Sequence, residues 1–163
     1  MRMRASAGFL LLLAFVSSIG CGPTVDLTKG LQVGILDSGW FDAGIVNGQN
    51  KLVPSVTFTL KNISDQKLVT MQVNALFRRV NENEEWGSGF KTVVGSEGLP
   101  TGATTPPITV RSQLGYTGSD QSRQEMLQNS HFVDAKVQLF CKYAATQWVL
   151  VGTYPIKRQL LVK

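Results

Sequence analysis

The sequence is poor in the side chains that most chemistry recruits. Among 163 residues there is one histidine, His131, and there are two cysteines, Cys21 and Cys141. That supply excludes a zinc site built from several His or Cys ligands and a disulfide-dense scaffold. Charged residues make up only 17% of the chain against 43% hydrophobic ones, which excludes a disordered polypeptide. No apolar run reaches the roughly 20 residues of a membrane-spanning helix. Strand–helix–strand alternation is missing, so doubly wound and α/β-barrel folds are excluded. The loop Gly95-Ser96-Glu97-Gly98 lacks the Gly-Lys-Ser/Thr ending of a phosphate-binding loop. No Gly-x-Ser-x-Gly elbow is present to expose a nucleophilic serine. The 16 basic and 11 acidic residues leave a net charge of +5, but the cations are scattered. Only Arg78-Arg79 and Lys157-Arg158 are adjacent, and no basic stripe carries interleaved aromatics, so no nucleic-acid partner is expected.

What is present begins with an address. Arg2 and Arg4 precede an unbroken apolar run over residues 9–16, followed by small residues, which is the pattern of an export signal. The stretch Ser18-Ile19-Gly20-Cys21 resembles the lipobox of bacterial lipoproteins, in which the cysteine directly follows a small residue. The resemblance implies cleavage before Cys21, a diacylglycerol on its thiol and a third acyl chain on its new amino group. Two or more chains hold a protein stably on a bilayer, each buried methylene contributing ~0.8 kcal/mol. Gly22 in place of an aspartate implies the periplasm-facing outer membrane in a Gram-negative host, and a Gram-positive host implies the cytoplasmic membrane. Ser18 and Gly20 also satisfy the small-x-small rule of ordinary signal cleavage, which leaves Cys21 a free thiol or a partner for Cys141. The expected organisation is a signal peptide over residues 1–20, a tether over 21–30 and one β-sandwich domain over 31–163.

Beyond the tether the chain alternates with period two. Apolar side chains alternate over residues 31–36, at Val56, Phe58 and Leu60, and at Val69, Met71, Val73, Ala75 and Phe77. They do so again over residues 90–94, at Ile108, Val110 and Leu114, and at Val133, Ala135, Val137, Leu139 and Cys141. A last strand is predicted over 147–161, broken at Pro155. Its run Trp148-Val149-Leu150-Val151 is apolar on both faces and predicts cover on both sides. Residues 39–50 read as a turn-rich loop. Asn62-Ile63-Ser64-Asp65 reads as the turn of a hairpin joining the second and third strands. Ser122 and Glu125 stand at capping-box spacing and predict one short helix within 119–129. About seven strands and one short helix predict an all-β antiparallel sandwich or small barrel.

Residues 56–64 (VTFTLKNIS) and 68–79 (LVTMQVNALFRR) resemble the first half of small bacterial immunoglobulin-like domains of the FxLYD type. The resemblance implies a single immunoglobulin-like β-sandwich, a fold with no activity of its own. The expectation is therefore a lipid-anchored, non-enzymatic envelope protein that engages a protein partner in the periplasm. The alternative is carbohydrate or small-ligand binding through the aromatics Trp40, Phe41, Trp86 and Tyr116, which lie in or beside expected loops. Phe132 and Phe140 fall on the solvent side of their strand. His131 reads as a turn residue, Cys141 as core, and Glu82, Glu84 and Glu85 as a solvated hairpin tip. Asp37 and Asp42 read as turn caps. No catalytic residue, metal or cofactor is assigned.

Overall fold

The computed structural model describes residues 23–161, so the expected signal peptide over 1–20 and the lipidation candidate Cys21 lie outside the described residues. The elements in chain order are α1 (Leu27–Gly30), β1 (Leu31–Val46), β2 (Gln49–Asn62), β3 (Met71–Arg79) and β4 (Gly87–Val94). There follow β5 (Ile108–Arg111), β6 (Tyr116–Gly118), α2 (Arg123–Gln128), β7 (Ala135–Tyr143), β8 (Val149–Pro155) and β9 (Leu160–Leu161). One sheet has the order β5-β2-β1-β9, with β6 also on β2, and the other has the order β4-β3-β7-β8. Two facing sheets, antiparallel throughout except where β9 runs parallel to β1, make an all-β sandwich with little helix.

The period-two pattern is what closes it. Val56, Phe58 and Leu60 of β2 face Met71, Val73, Ala75 and Phe77 of β3 and Val137, Leu139 and Cys141 of β7, and all are fully buried. Each larger member contributes ~1.5–3 kcal/mol by leaving water.

Several expectations are corrected. The turn-rich segment 39–50 is strand: β1 runs unbroken to Val46, with register shifts between Ile35 and Asp37 and between Asp42 and Ile45. Only Asn47 (φ 52°) and Gly48 (φ 76°) turn, as the Asn-Gly pair of a two-residue hairpin does. Pro54, inside β2, sits where the flanking partner changes from β6 to β5. The expected hairpin of the second and third strands does not form. β2 pairs with β1, β5 and β6, whereas β3 pairs with β4 and β7, so residues 63–70 cross from one sheet to the other. Asn62 makes that crossing. Its fully buried amide donates to Gln66 O and Leu99 O, both at 2.8 Å, and its Oδ1 accepts from Ser64 N and Ser64 Oγ. Residues 108–118 form β5 and β6 rather than one strand, and β9 leaves the β8 sheet to run parallel to β1. The helix at Ser122 forms with both capping-box bonds.

Residues 23–30 are not a free tether. Asp26 caps α1, Leu27 is buried in the core, and Gly30 O accepts from Ile63 N and Ser64 N. The registers define two ends of the sandwich. The basal pole holds residues 23–30, the 63–70 crossing and the β7–β8 turn. The distal pole holds the β1–β2 turn, the acidic tip 81–85 and the segment from Ser112 to Asp134.

Candidate functional site

The structure brings three of the four expected aromatics together at the distal pole. Trp40, on the inward side of β1, lies 6.0 Å from Trp86 and 5.5 Å from Tyr116 between ring centroids. Trp86 and Tyr116 are 5.0 Å apart. Phe132 completes the group at 4.6 Å from Trp40 and 4.5 Å from Tyr116. Expected on the solvent side, Phe132 is buried, because β7 begins only at Ala135 and the preceding turn folds the ring inward. Two guanidiniums cover the cluster: Arg79 lies 5.0 Å above Trp86, and Arg158 lies 4.9 Å above Phe132. The Tyr116 hydroxyl donates to Val133 O at 3.1 Å and accepts from Val133 N at 3.2 Å.

Phe41 is separate. It follows Trp40 on a strand, so it points to the other face, where Arg111 lies 3.6 Å from its ring centre. Trp40 itself is fully buried and presents no face for a sugar to stack on. The cluster is chiefly the end-plug of the sandwich. Beside it, Tyr116, Phe132, Met126, His131 and Asn129 line a cavity of about 260 Å³. That is below the ~300–1,000 Å³ of ordinary ligand pockets.

The other polar candidates have local partners. Glu82 pairs with Arg79 at 3.1 Å and holds its guanidinium more firmly protonated. Asp42 pairs with Arg123 at 3.1 Å and accepts from Gly44 N. Asp37 accepts from Gln159 Nε2, and His131 N donates to Asn129 Oδ1. Cys141 is buried on the core side of β7, and that burial pushes its thiol up to about 12. Among the described residues no three His, Cys, Asp or Glu gather closely enough to hold a metal ion.

The outer face of the β4-β3-β7-β8 sheet, to which the parity of Phe140 pointed, gains Phe90, Trp148 and Leu150, which the sequence reading did not place there. The register sets Phe90 against Asn74, Asn74 against Phe140, and Phe140 against Leu150, in one row across four strands. Phe90 is 58% exposed, Leu150 41% and Trp148 39%. The double cover expected for the run beginning at Trp148 is absent: Trp148 and Leu150 are exposed, while Val149 and Val151 pack against the core. Phe90 and Trp148 nevertheless meet edge to face, with ring centres 6.1 Å apart. Lys142 Nζ lies 5.1 Å from the Trp148 ring. On the parity of this face the four strands carry Arg78, Lys136 and Lys142 and no Asp or Glu, while Arg79 and Lys91 share the parity of the core residues. Arg78 donates to Gln138 across this outer face at 2.8 Å. The parity of Phe90, opposite to that of the core residues of its strand, is the signal that could have joined it to Phe140.

No protein-family model and no curated protein matches the chain. One solved structure similar to it is the X-ray structure of Northeast Structural Genomics Consortium target SoR45. The TM-score is 0.41 at 13% sequence identity, over 81% of this chain and 86% of that chain.

Proposed function

We propose that this protein is a lipid-anchored, non-enzymatic component of a bacterial envelope whose sandwich binds a protein partner through the outer face of the β4-β3-β7-β8 sheet. The anchor rests on the signal-like start and on Ser18-Ile19-Gly20-Cys21. The binding face rests on one observation: Phe90 and Trp148, both exposed, pack on each other on a sheet face whose strands carry cations and no carboxylate. Exposed aromatics of this kind are the usual anchors of protein interfaces. A cationic surround selects a partner with an acidic, apolar surface. A photoreactive residue at Phe90, in cells, is expected to yield one defined envelope adduct that a second charge-reversing variant, Lys142→Glu, reduces. No adduct at Phe90 or Leu150 would remove the reading. The intact mass of detergent-extracted protein tests the anchor, with a chain beginning at Cys21 and carrying acyl groups expected.

The second reading, a carbohydrate or other small ligand, is favoured by the cavity beside Tyr116 and Phe132. It predicts a change in tryptophan fluorescence with some member of a glycan panel, since Trp86 touches Tyr116.

A further inference from the structure

We propose that the basal pole of the sandwich stands directly on the lipid headgroup layer, with the strands rising away from the membrane. This rests on the lipid-anchor reading above. The observation behind it is how early in the chain the fold begins. Gln66 Nε2 donates to Pro23 O at 2.8 Å, and Val25 N donates to the Tyr143 hydroxyl at 2.6 Å. Leu27 is 1% exposed. A Cβ added at Gly30 would meet Val25 Cγ1 at 2.7 Å and Ser64 Cβ at 3.0 Å, so the segment fits its groove with no slack.

Gly22 alone stands between Cys21 and the first docked residue, Pro23. Two residues of chain span at most ~7 Å. The headgroup layer of one leaflet is itself about 5–7 Å thick, the difference between whole bilayer and hydrocarbon core shared over two sides. An anchor on so short a lead cannot hold the domain clear of the bilayer, nor let the distal pole turn downward. The residues around Pro23 therefore face lipid.

Their chemistry suits that position. Ile63, at the crossing loop, is 51% exposed although apolar. Lys29 has 86% of its side chain exposed, and Lys67, in the same pole, is exposed too. Asp26 and Asp65 share the pole, so the lipid chains and Ile63, rather than net charge, keep it down. The distal tip stands ~30 Å higher, since the nine residues of β3 rise ~3.3 Å each. The sheet face bearing Phe90 then stands upright, open to a partner held in the same membrane.

The test uses the full chain extracted from its native membranes and reconstituted into vesicles of phosphatidylethanolamine and phosphatidylglycerol. Ile63→Cys, Lys67→Cys and Glu84→Cys each carry one environment-sensitive fluorophore, while the native Cys141 stays buried and unlabelled. A lipid-borne quencher in the headgroup layer is expected to dim labels at positions 63 and 67 several-fold more than the label at 84. A long Gly/Ser insertion after Gly22 is expected to abolish the difference. Equal quenching at all three sites, with acyl groups present in the intact mass, overturns the docking and leaves the anchor standing. A mass without acyl groups overturns both.

Discussion

The backbone N–H of Val25 donates to the hydroxyl of Tyr143 at 2.6 Å across 118 positions of sequence, fastening the first described residues to the end of β7. Tyr143→Phe removes that acceptor and leaves the ring. The expected loss of stability is about 0.5–1.5 kcal/mol, the net worth of one hydrogen bond. The local effect is larger than the global one. Amide exchange of residues 24–30 is expected to rise well before that of β3 and β7, as measured by hydrogen–deuterium exchange.

Asn62→Ala is expected to be the most costly polar substitution. It removes one of the two donors on each of two backbone carbonyls, Gln66 O and Leu99 O, which keep Ser64 Oγ and Leu68 N. It also takes the Oδ1 acceptor from Ser64 N, all at a buried point where the chain changes sheets. Each hydrogen bond lost costs about 0.5–1.5 kcal/mol. A thermal midpoint within a degree or two of the parent protein would show that water replaces the side chain.

At Trp40 two substitutions are expected to diverge. Trp40→Ala opens a large cavity amid Trp86, Tyr116 and Phe132 and costs about 3–5 kcal/mol. Trp40→Phe keeps the ring contacts and removes an indole N–H that is buried without a partner among the described residues. Its cost is expected to stay well below that of Trp40→Ala, because the cavity left by the lost five-membered ring is much smaller. Chemical denaturation of both variants checks the ordering.

Phe90→Ala and Trp148→Ala are expected to leave stability within about 0.5 kcal/mol, as substitutions outside the core do. Partner capture is expected to fall in both, and in the double variant by no more than the larger single effect, because the two rings touch. A double variant that binds normally would move the interface elsewhere.

Cys141 gives stability a pH dependence of defined sign. In an unfolded chain a thiol ionises near about 8.5. In the folded protein burial holds it protonated up to about 12. Below the unfolded value both states keep the proton and the thiol's contribution is fully present. Above it the unfolded chain alone sheds the proton, so stability falls as pH rises toward 12, by up to ~1.4 kcal/mol per pH unit. Tyr154, raised mainly by burial, adds in the same direction. Urea midpoints between pH 8 and 11 should decline in the parent and decline less in Cys141→Ala. Maleimide should label Cys141 only after unfolding.

Alternation alone made β3 and β7 legible: apart from Leu76 and Phe140 on the outer face, apolar and polar residues trade places along them, and the structure buries Met71, Val73, Ala75, Phe77, Val137, Leu139 and Cys141. The capping box at Ser122 and Glu125 was legible for the same reason, since it is a bond between residues three apart. β1 beyond Gly39 was not. Its glycines and the dense polar residues around Asn47 imitate a loop, and only pairing with β2 reveals a strand. The crossing at Asn62 imitates a hairpin turn, because its sequence signal is local and the choice of sheet is not.

The candidate sites divide along the same line. The sequence by itself determined the inward set of side chains, the short helix and the signal-like start, because each depends on neighbours in the chain. Tertiary structure decided which aromatics meet. Trp40 and Phe41 are adjacent in sequence and end on opposite faces, while Phe90 and Trp148, far apart in sequence, end in contact. It also decided that residues 23–30 belong to the fold, since the groups that hold them, Ser64 and Gln66 of the crossing and Tyr143 at the end of β7, meet only when the two sheets close.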